Sequence, residues 1–511
     1  MSKVIKNAIM DAMKAVEVRQ LIRRGKNKQV PTMGWCRGEK QANIAILQKD
    51  AADDFAKFAA YNEGCLPILH QSKPGEKETI LAKNSDITTD LPGYKIYKNG
   101  EMEKIIDSAE EYDWKEMVTF YIGCSFSFDD ILMEYKIPVR NIEQNTNVSM
   151  YKTNIKCHSV GPFQCNMIVS MRPIPEHQLS LVVDITSQMP DVHGAPVHIG
   201  DPDVIISNTK FEDPHFGSFV ALQDGDVPVF WACGVTNSEA IRAAKRPFAI
   251  THCPGMMFLT DVPQERYDES KPDNEKCKVI KYSNKDQRFS IVSVQAEKCL
   301  AELEEATVDD PGKRGSKNLL VPGDFMKSSL ALSHASSIAI TTGFPCHDHE
   351  PPDETDGLPG VYSLAGMLQA LGKEITLIVD KAGLKMNIEI MKKQVDAGIL
   401  QKEIKVISYI GSDGTEHALT NDDGRPIYDV ILATERCGST ENGKYYTMKG
   451  KDISAQVGIQ LDQHGLRGVG DGGNELGMGK VIDKVKKFIP NGETIACDVQ
   501  LILYSAELKD Q

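Results

Sequence analysis

Gly468–Lys480, GVGDGGNELGMGK, is the stretch on which the reading of this chain turns. It places glycines, two acids, an amide and a lysine between an apolar approach and the helical run VIDKVKKF. A strand, a glycine-rich turn and a helix start present backbone N–H groups and a positive dipole end to an anion. The lysine lacks the spacing and the following Ser/Thr of a Walker loop, and the glycines miss the dinucleotide fingerprint. Asp471, Asn474 and Glu475 inside the turn favour a polar small-molecule site. A plain tight strand-to-helix turn is the alternative.

Upstream, SIAITTG (337–343), EITLIVD (374–380), KVISYIG (405–411) and DVILATE (429–435) are short β-branched runs. Helical segments such as VYSLAGMLQALG and IEIMKKQVDAGI lie between them. Strands alternating with helices of that length imply βαβ units and a mostly parallel sheet. Residues 276–511 therefore read as a Rossmann-like α/β domain. Ligands in such sheets sit at the carboxyl ends of strands. Three loops meet that description: GFPCHDHEPPDETDGLPG, TERCGSTENGKYY and the glycine-rich turn.

The first half reads as a mixed α/β domain over 1–261. A helix is expected at about residues 4–24, with QANIAIL, CNMIVSMRPI, VPVFWACG and FAITHCP as strands. PEHQLSLVVDITSQM and NSEAIRAAK have helical spacing. The polar, proline-containing residues 262–275 are the expected linker. With 511 residues, 41% of them apolar, the chain can bury more than one core. A net charge of −14 with no basic stripe argues against a nucleic-acid partner. No apolar run approaches the ~20 residues that span a bilayer, so no membrane partner is expected. Twelve cysteines are scattered without a CxxC pair, which suggests buried thiols in a reduced compartment. The basic, amphipathic N-terminus suits a mitochondrial presequence, whereas Asp11 and Glu17 argue against one.

Residue types nominate two sites. In the loop after the first C-terminal strand, His347, His349 and Glu350 are metal-ligand candidates, and Glu354 and Asp356 are candidate bases. A solvated acidic loop is the bland alternative. Arg436, directly after a strand, can clamp a carboxylate, or form an ordinary ion pair. In the first half, Cys124 stands at an expected helix start that can bind an anion or activate a thiol. Arg172, His193, His198, Asp201 and His252 complete a second candidate site. Buried thiols and core-satisfied histidines are the commoner explanation for any one of these. There is no GxSxG elbow, which disfavours a hydrolase triad.

Several long strings match known proteins in order. GCSFSF, VSMRPIP, HGAPVHIGDP, VPVFWACGVT and ITHCPG resemble a bacterial family with a provisional hydro-lyase name, over about residues 10–261. TTGFPCHDHEPPDETDGLPG and GVGDGGNELGMGK resemble the C-terminal domain of the D-glutamate cyclase family. Joined in this order, the halves resemble the animal branch of that family. The resemblance implies reversible conversion of D-glutamate to 5-oxo-D-proline and water, and a mitochondrial matrix location, with the cytoplasm as alternative. Compared with the family, the stretch from Tyr446 to Gly468 is short and the chain ends soon after ACDV, so a truncated C-terminal domain is expected.

The residue types then suggest roles. Asp356 or Glu354 serves as base, Asp471 and Glu475 share in proton transfer, and Arg436 holds the α-carboxylate. Gly472, Gly473, Asn474 and Lys480 complete the substrate site, with loop N–H groups on the developing oxyanion. Ring closure is intramolecular, so no cofactor is required; a divalent metal is left open, as is a homo-oligomer. The alternatives are a lyase acting on another small amino or hydroxy acid through the N-terminal half, or a non-catalytic ligand-binding protein.

Overall fold

The strand Glu39–Gln48 is buried along nearly its whole length and organises the N-terminal half. Its side chains alternate between two cores. Ala45 and Leu47 pack with Phe55 and Phe58 of the helix Lys49–Tyr61, and Ala42, Ile44 and Ile46 with Tyr94, Tyr121 and Phe258. The computed structural model describes residues 10, 12–283, 287–307, 310, 313–345, 353, 354, 357–408, 419, 426–457 and 467–499. It divides into two units, 1–279 with 291–294, and 280–290 with 295–511.

In the first unit a seven-stranded sheet runs in the order Ile68–Gln71, Met117–Gly123, Glu39–Gln48, Ala249–His252, Tyr94–Lys98 and Glu101–Ile106. Phe258–Pro263 also pairs with the central strand, and every pairing is antiparallel. A second antiparallel sheet joins Ser149–Lys156, Asn166–Pro175, Asp226–Ala232 and His198–Ile199. The residues expected as a linker belong to this unit. Phe258–Pro263 runs into them, Tyr267 donates to the Asp184 carboxylate, and Asp268 N–H donates to Gln188 at 3.0 Å. The division falls at 279–280, inside the strand Cys277–Ser283. A polar, proline-bearing composition marks a surface strap as well as a tether, which explains the misplacement.

The second unit holds a five-stranded sheet ordered Lys405–Ser408, Glu374–Val379, Ser337–Gly343, Val430–Arg436 and Arg467–Val469. All four pairings are parallel. In chain order within the unit this is 3-2-1-4-5, the doubly wound arrangement, with the reversal between Ser337–Gly343 and Val430–Arg436. The central strand is buried from Ile338 to Gly343, as a sheet covered on both faces requires. Helices Gly357–Ala370 and Leu384–Asp396 make two of the crossovers.

Candidate active site

The reversal of strand order places the ends of Ser337–Gly343 and Val430–Arg436 side by side, with Gly343 in register with Arg436. Beyond them lies a cleft of about 620 Å³. Phe344 and Glu354 follow the first strand, Glu435 closes the second, and Asp471, Asn474 and Glu475 come from the glycine-rich loop. Arg314, Lys449 and Lys451 add positive charge to the same cleft.

The glycine-rich loop is folded around its own acid. Glu475 is 3% exposed, and its carboxylate accepts N–H bonds from Gly472 at 2.7 Å, Gly473 at 2.6 Å and Asp471 at 3.3 Å. Burial pushes its pKa up, against the pull of its own backbone N–H and those of Gly472 and Gly473, and the nearby Asp471 charge adds to the rise. Gly473 adopts φ +92°, and a Cβ there would meet Val485 at 2.5 Å, so only glycine fits. The N–H groups of Gly472 and Gly473, expected to face a substrate oxyanion, are thus engaged by Glu475. Lys480, expected on the substrate, pairs with Asp324 and does not line the cleft.

Asp471 sits at the exposed rim, paired with Arg314. One carboxylate oxygen each of Glu435, Asp471 and Glu475 lies within 4.8 Å of the others. Glu435 holds a left-handed φ of +46°, unusual for a non-glycine residue. Its neighbour Arg436, and not Glu435, was the residue expected to meet substrate at this strand end. Arg436 is 1% exposed, chelates Asp380 through both terminal nitrogens and donates to the Gly343 carbonyl at 3.3 Å. It is a structural ion pair, not a clamp on substrate. Alternation along the strand, with Glu435 towards the cleft and Arg436 inward, was the available signal.

Glu354 is exposed on the cleft. Asp356, His347, His349 and Glu350 lie outside the described residues. Asp353, beside Glu354, is buried, and its Oδ1 finds no hydrogen-bond partner among the described residues. Burial, then the nearby Asp380 charge, pushes its pKa up from 3.8 to about 7. Between those values the folded group keeps a proton that the unfolded chain has lost. Stability of this unit should therefore fall as pH rises from about 4 to about 7, by at most ~1.4 kcal/mol per pH unit. Urea unfolding at pH 5 and pH 8 checks this: Asp353→Asn should flatten the decline, and equal slopes would refute it.

Most of the N-terminal candidates are buried and engaged by neighbours within the fold. Arg172 is fully buried, bonds Asp129 at 2.7 and 3.1 Å and Ser125 at 3.2 Å, and stacks over Phe128 and Trp231. It is not positioned as a carboxylate clamp. Cys124 precedes the helix Phe126–Glu134 as expected, but burial pushes its thiol pKa up, the opposite of an activated nucleophile. Burial holds His193 and His252 at about 4; His193 bonds the Gly64 carbonyl at 3.1 Å and His252 the Ile44 backbone. His198 bonds the Asp201 carbonyl at 2.7 Å, and the Asp201 side chain caps a turn by accepting from Asp203 N–H. Arg172 nonetheless acts electrostatically on Cys124, Cys233 and His193, so the motifs do converge.

A doubly wound domain with a polar cleft at its switch point, attached to an antiparallel α/β unit, defines a two-unit protein of small-molecule enzyme type. Residues 118–261 match the family described as D-glutamate cyclase, and residues 303–503 the family described as D-glutamate cyclase-like, C-terminal. The human protein named D-glutamate cyclase, mitochondrial, is 34% identical over 480 residues, covering 90% of this chain and 77% of that protein. A hydro-lyase-named protein of Acinetobacter baumannii is 47% identical over 255 residues, 50% of this chain and 94% of its own length. Another from Bacillus licheniformis is 45% identical over 259 residues, 50% of this chain and 98% of its own length. The chain belongs to the D-glutamate cyclase family. No helix among the described residues is long and apolar enough to cross a membrane.

Proposed function

We propose that this chain is a hydro-lyase that closes D-glutamate to 5-oxo-D-proline with release of water, and catalyses the reverse hydration. The carrying observation is the strand-end cleft, where Glu354 and Asp471 face the same space as Arg314, Lys449 and Lys451. The cationic groups suit the α-carboxylate and the oxyanion that develops on the γ-carboxyl. Glu354 takes a proton from the substrate ammonium, freeing the amine to attack the carbon of the γ-carboxyl group. The C–N bond forms, the nitrogen gives up its second proton to Asp471, the C–O bond breaks, and the leaving oxygen departs as water carrying the two protons returned by Glu354 and Asp471. Because the nucleophile and electrophile share one molecule, holding the folded conformer supplies much of the acceleration. The name of the human relative supports a mitochondrial location as part of this reading.

A second reading has its own support. The bacterial relatives consist almost entirely of the first half, where Cys124, Arg172 and His193 lie close together. Incubation of the full chain with D- and L-glutamate, followed by chiral chromatography, separates the readings. The expected result is 5-oxo-D-proline from the D-isomer only, with Cys124→Ala within about threefold, a barrier change under ~1 kcal/mol. No product from D-glutamate would overturn the proposal. A thousandfold loss in Cys124→Ala would move the reaction to the first unit.

A further inference from the structure

We propose that Glu435, Asp471 and Glu475, with the amide oxygen of Asn474, bind one hard divalent cation of the Mg²⁺ or Mn²⁺ kind. The three carboxylates come from two neighbouring strand ends and offer oxygens within 4.8 Å of one another. Ligands at ~2.1 Å around an octahedral cation lie about 3–4 Å apart, so small adjustments close the shell. Three acids that close repel unless a proton or a cation sits among them.

Asn474 supplies an independent observation. It is 3% exposed and lines the same cleft. Its Nδ2 donates to the Tyr446 carbonyl at 2.9 Å, but its Oδ1 accepts nothing among the described residues. A Cβ built on Gly472 would meet Glu475 Oε1 at 2.8 Å and Asn474 Oδ1 at 3.0 Å. The two oxygens therefore lie no more than 5.8 Å apart, the sum of those distances. A buried acceptor with no donor is what a cation satisfies. The donor set is all oxygen, with neither thiolate nor imidazole, which selects a hard cation over zinc. Arg314 engages Asp471 through Oδ1, and each carboxylate keeps further lone pairs for a metal. Water would complete the shell, as is usual for Mg²⁺.

The test needs no substrate. Full-length protein is stripped with EDTA, dialysed and titrated with MnCl₂, with free Mn²⁺ read by electron paramagnetic resonance. One saturable site per chain is expected, displaced by Mg²⁺. Asp471→Asn and Glu435→Gln should each weaken it by at least the ~10-fold that losing even an outer-shell partner costs. Asp471 is exposed, so Asp471→Asn decides the matter if Glu435→Gln fails to fold. No saturable binding in the wild type, or undiminished binding in the folded variants, would overturn the site. Protein that binds Mn²⁺ but leaves D-glutamate unchanged would keep the site and remove only the proposed reaction.

Discussion

Glu475→Gln should lower kcat for D-glutamate by about a hundredfold or more while the protein stays folded. Glu475 is the acceptor around which the glycine-rich loop is wrapped, with N–H groups of Gly472 and Gly473 on its two oxygens. Glutamine keeps the length but has one acceptor oxygen. Its NH₂ would then face an N–H group, so donor meets donor where a charge-assisted bond stood. Such bonds contribute ~1.5–3 kcal/mol each, and an unsatisfied buried donor adds to the cost. The loop would open, carrying Asp471 and Asn474 away from the cleft. Steady-state kinetics with circular dichroism as the fold check would measure this. A folded Glu475→Gln protein with kcat within threefold of wild type would show that the wrapped loop is irrelevant to turnover.

Arg436→Met should destabilise the second unit by ~3–5 kcal/mol, the usual effect of stripping one partner from a buried ion pair. Asp380 would be left buried at 3% exposure, with Asp353 beside it at 6%. Removing both charges, Arg436→Met with Asp380→Leu, should recover much of the loss, because apolar pairs of similar volume often replace buried ion pairs without penalty. Denaturant unfolding reads both variants. If Arg436 instead held the substrate, the single variant would unfold like the wild type and show a raised KM.

The sequence carried the second unit well, because four β-branched runs separated by helix-length segments leave few topologies other than a doubly wound parallel sheet. The loops at the strand ends were legible, but the strand order, and with it the switch point, is seen only in the folded unit. What the sequence did not carry was the direction of individual side chains. Arg436 and Glu435 are adjacent and both charged, and only the pleat decides which one meets Asp380 and which meets the cleft. The glycine-rich turn advertised free N–H groups, but Glu475, three residues after Gly472, had already claimed them. In the first unit the same periodicities found the strands and the later helices, whereas the opening helix, expected at about residues 4–24, covers Ala15–Arg23 and is preceded by an extended Lys14. Periodicity says nothing about strand direction, and the sheets there are antiparallel. Lys449 and Lys451 carried no signal at all, since lysines outside a strand end look like ordinary solvated surface.

The loop that closes on Glu475 is held by hydrogen bonds within its own backbone and side chain. Fixing the backbone of a mobile residue costs roughly 1–2 kcal/mol, and a loop ordered by its substrate would meet that cost at every binding event. Amino acids are small, and a ligand of few atoms has little interaction energy to set against such ordering. Here the conformational entropy is lost once, when the chain folds. Small polar ligands should therefore bind this cleft with little change in loop mobility, and discriminate among themselves by charge and shape alone.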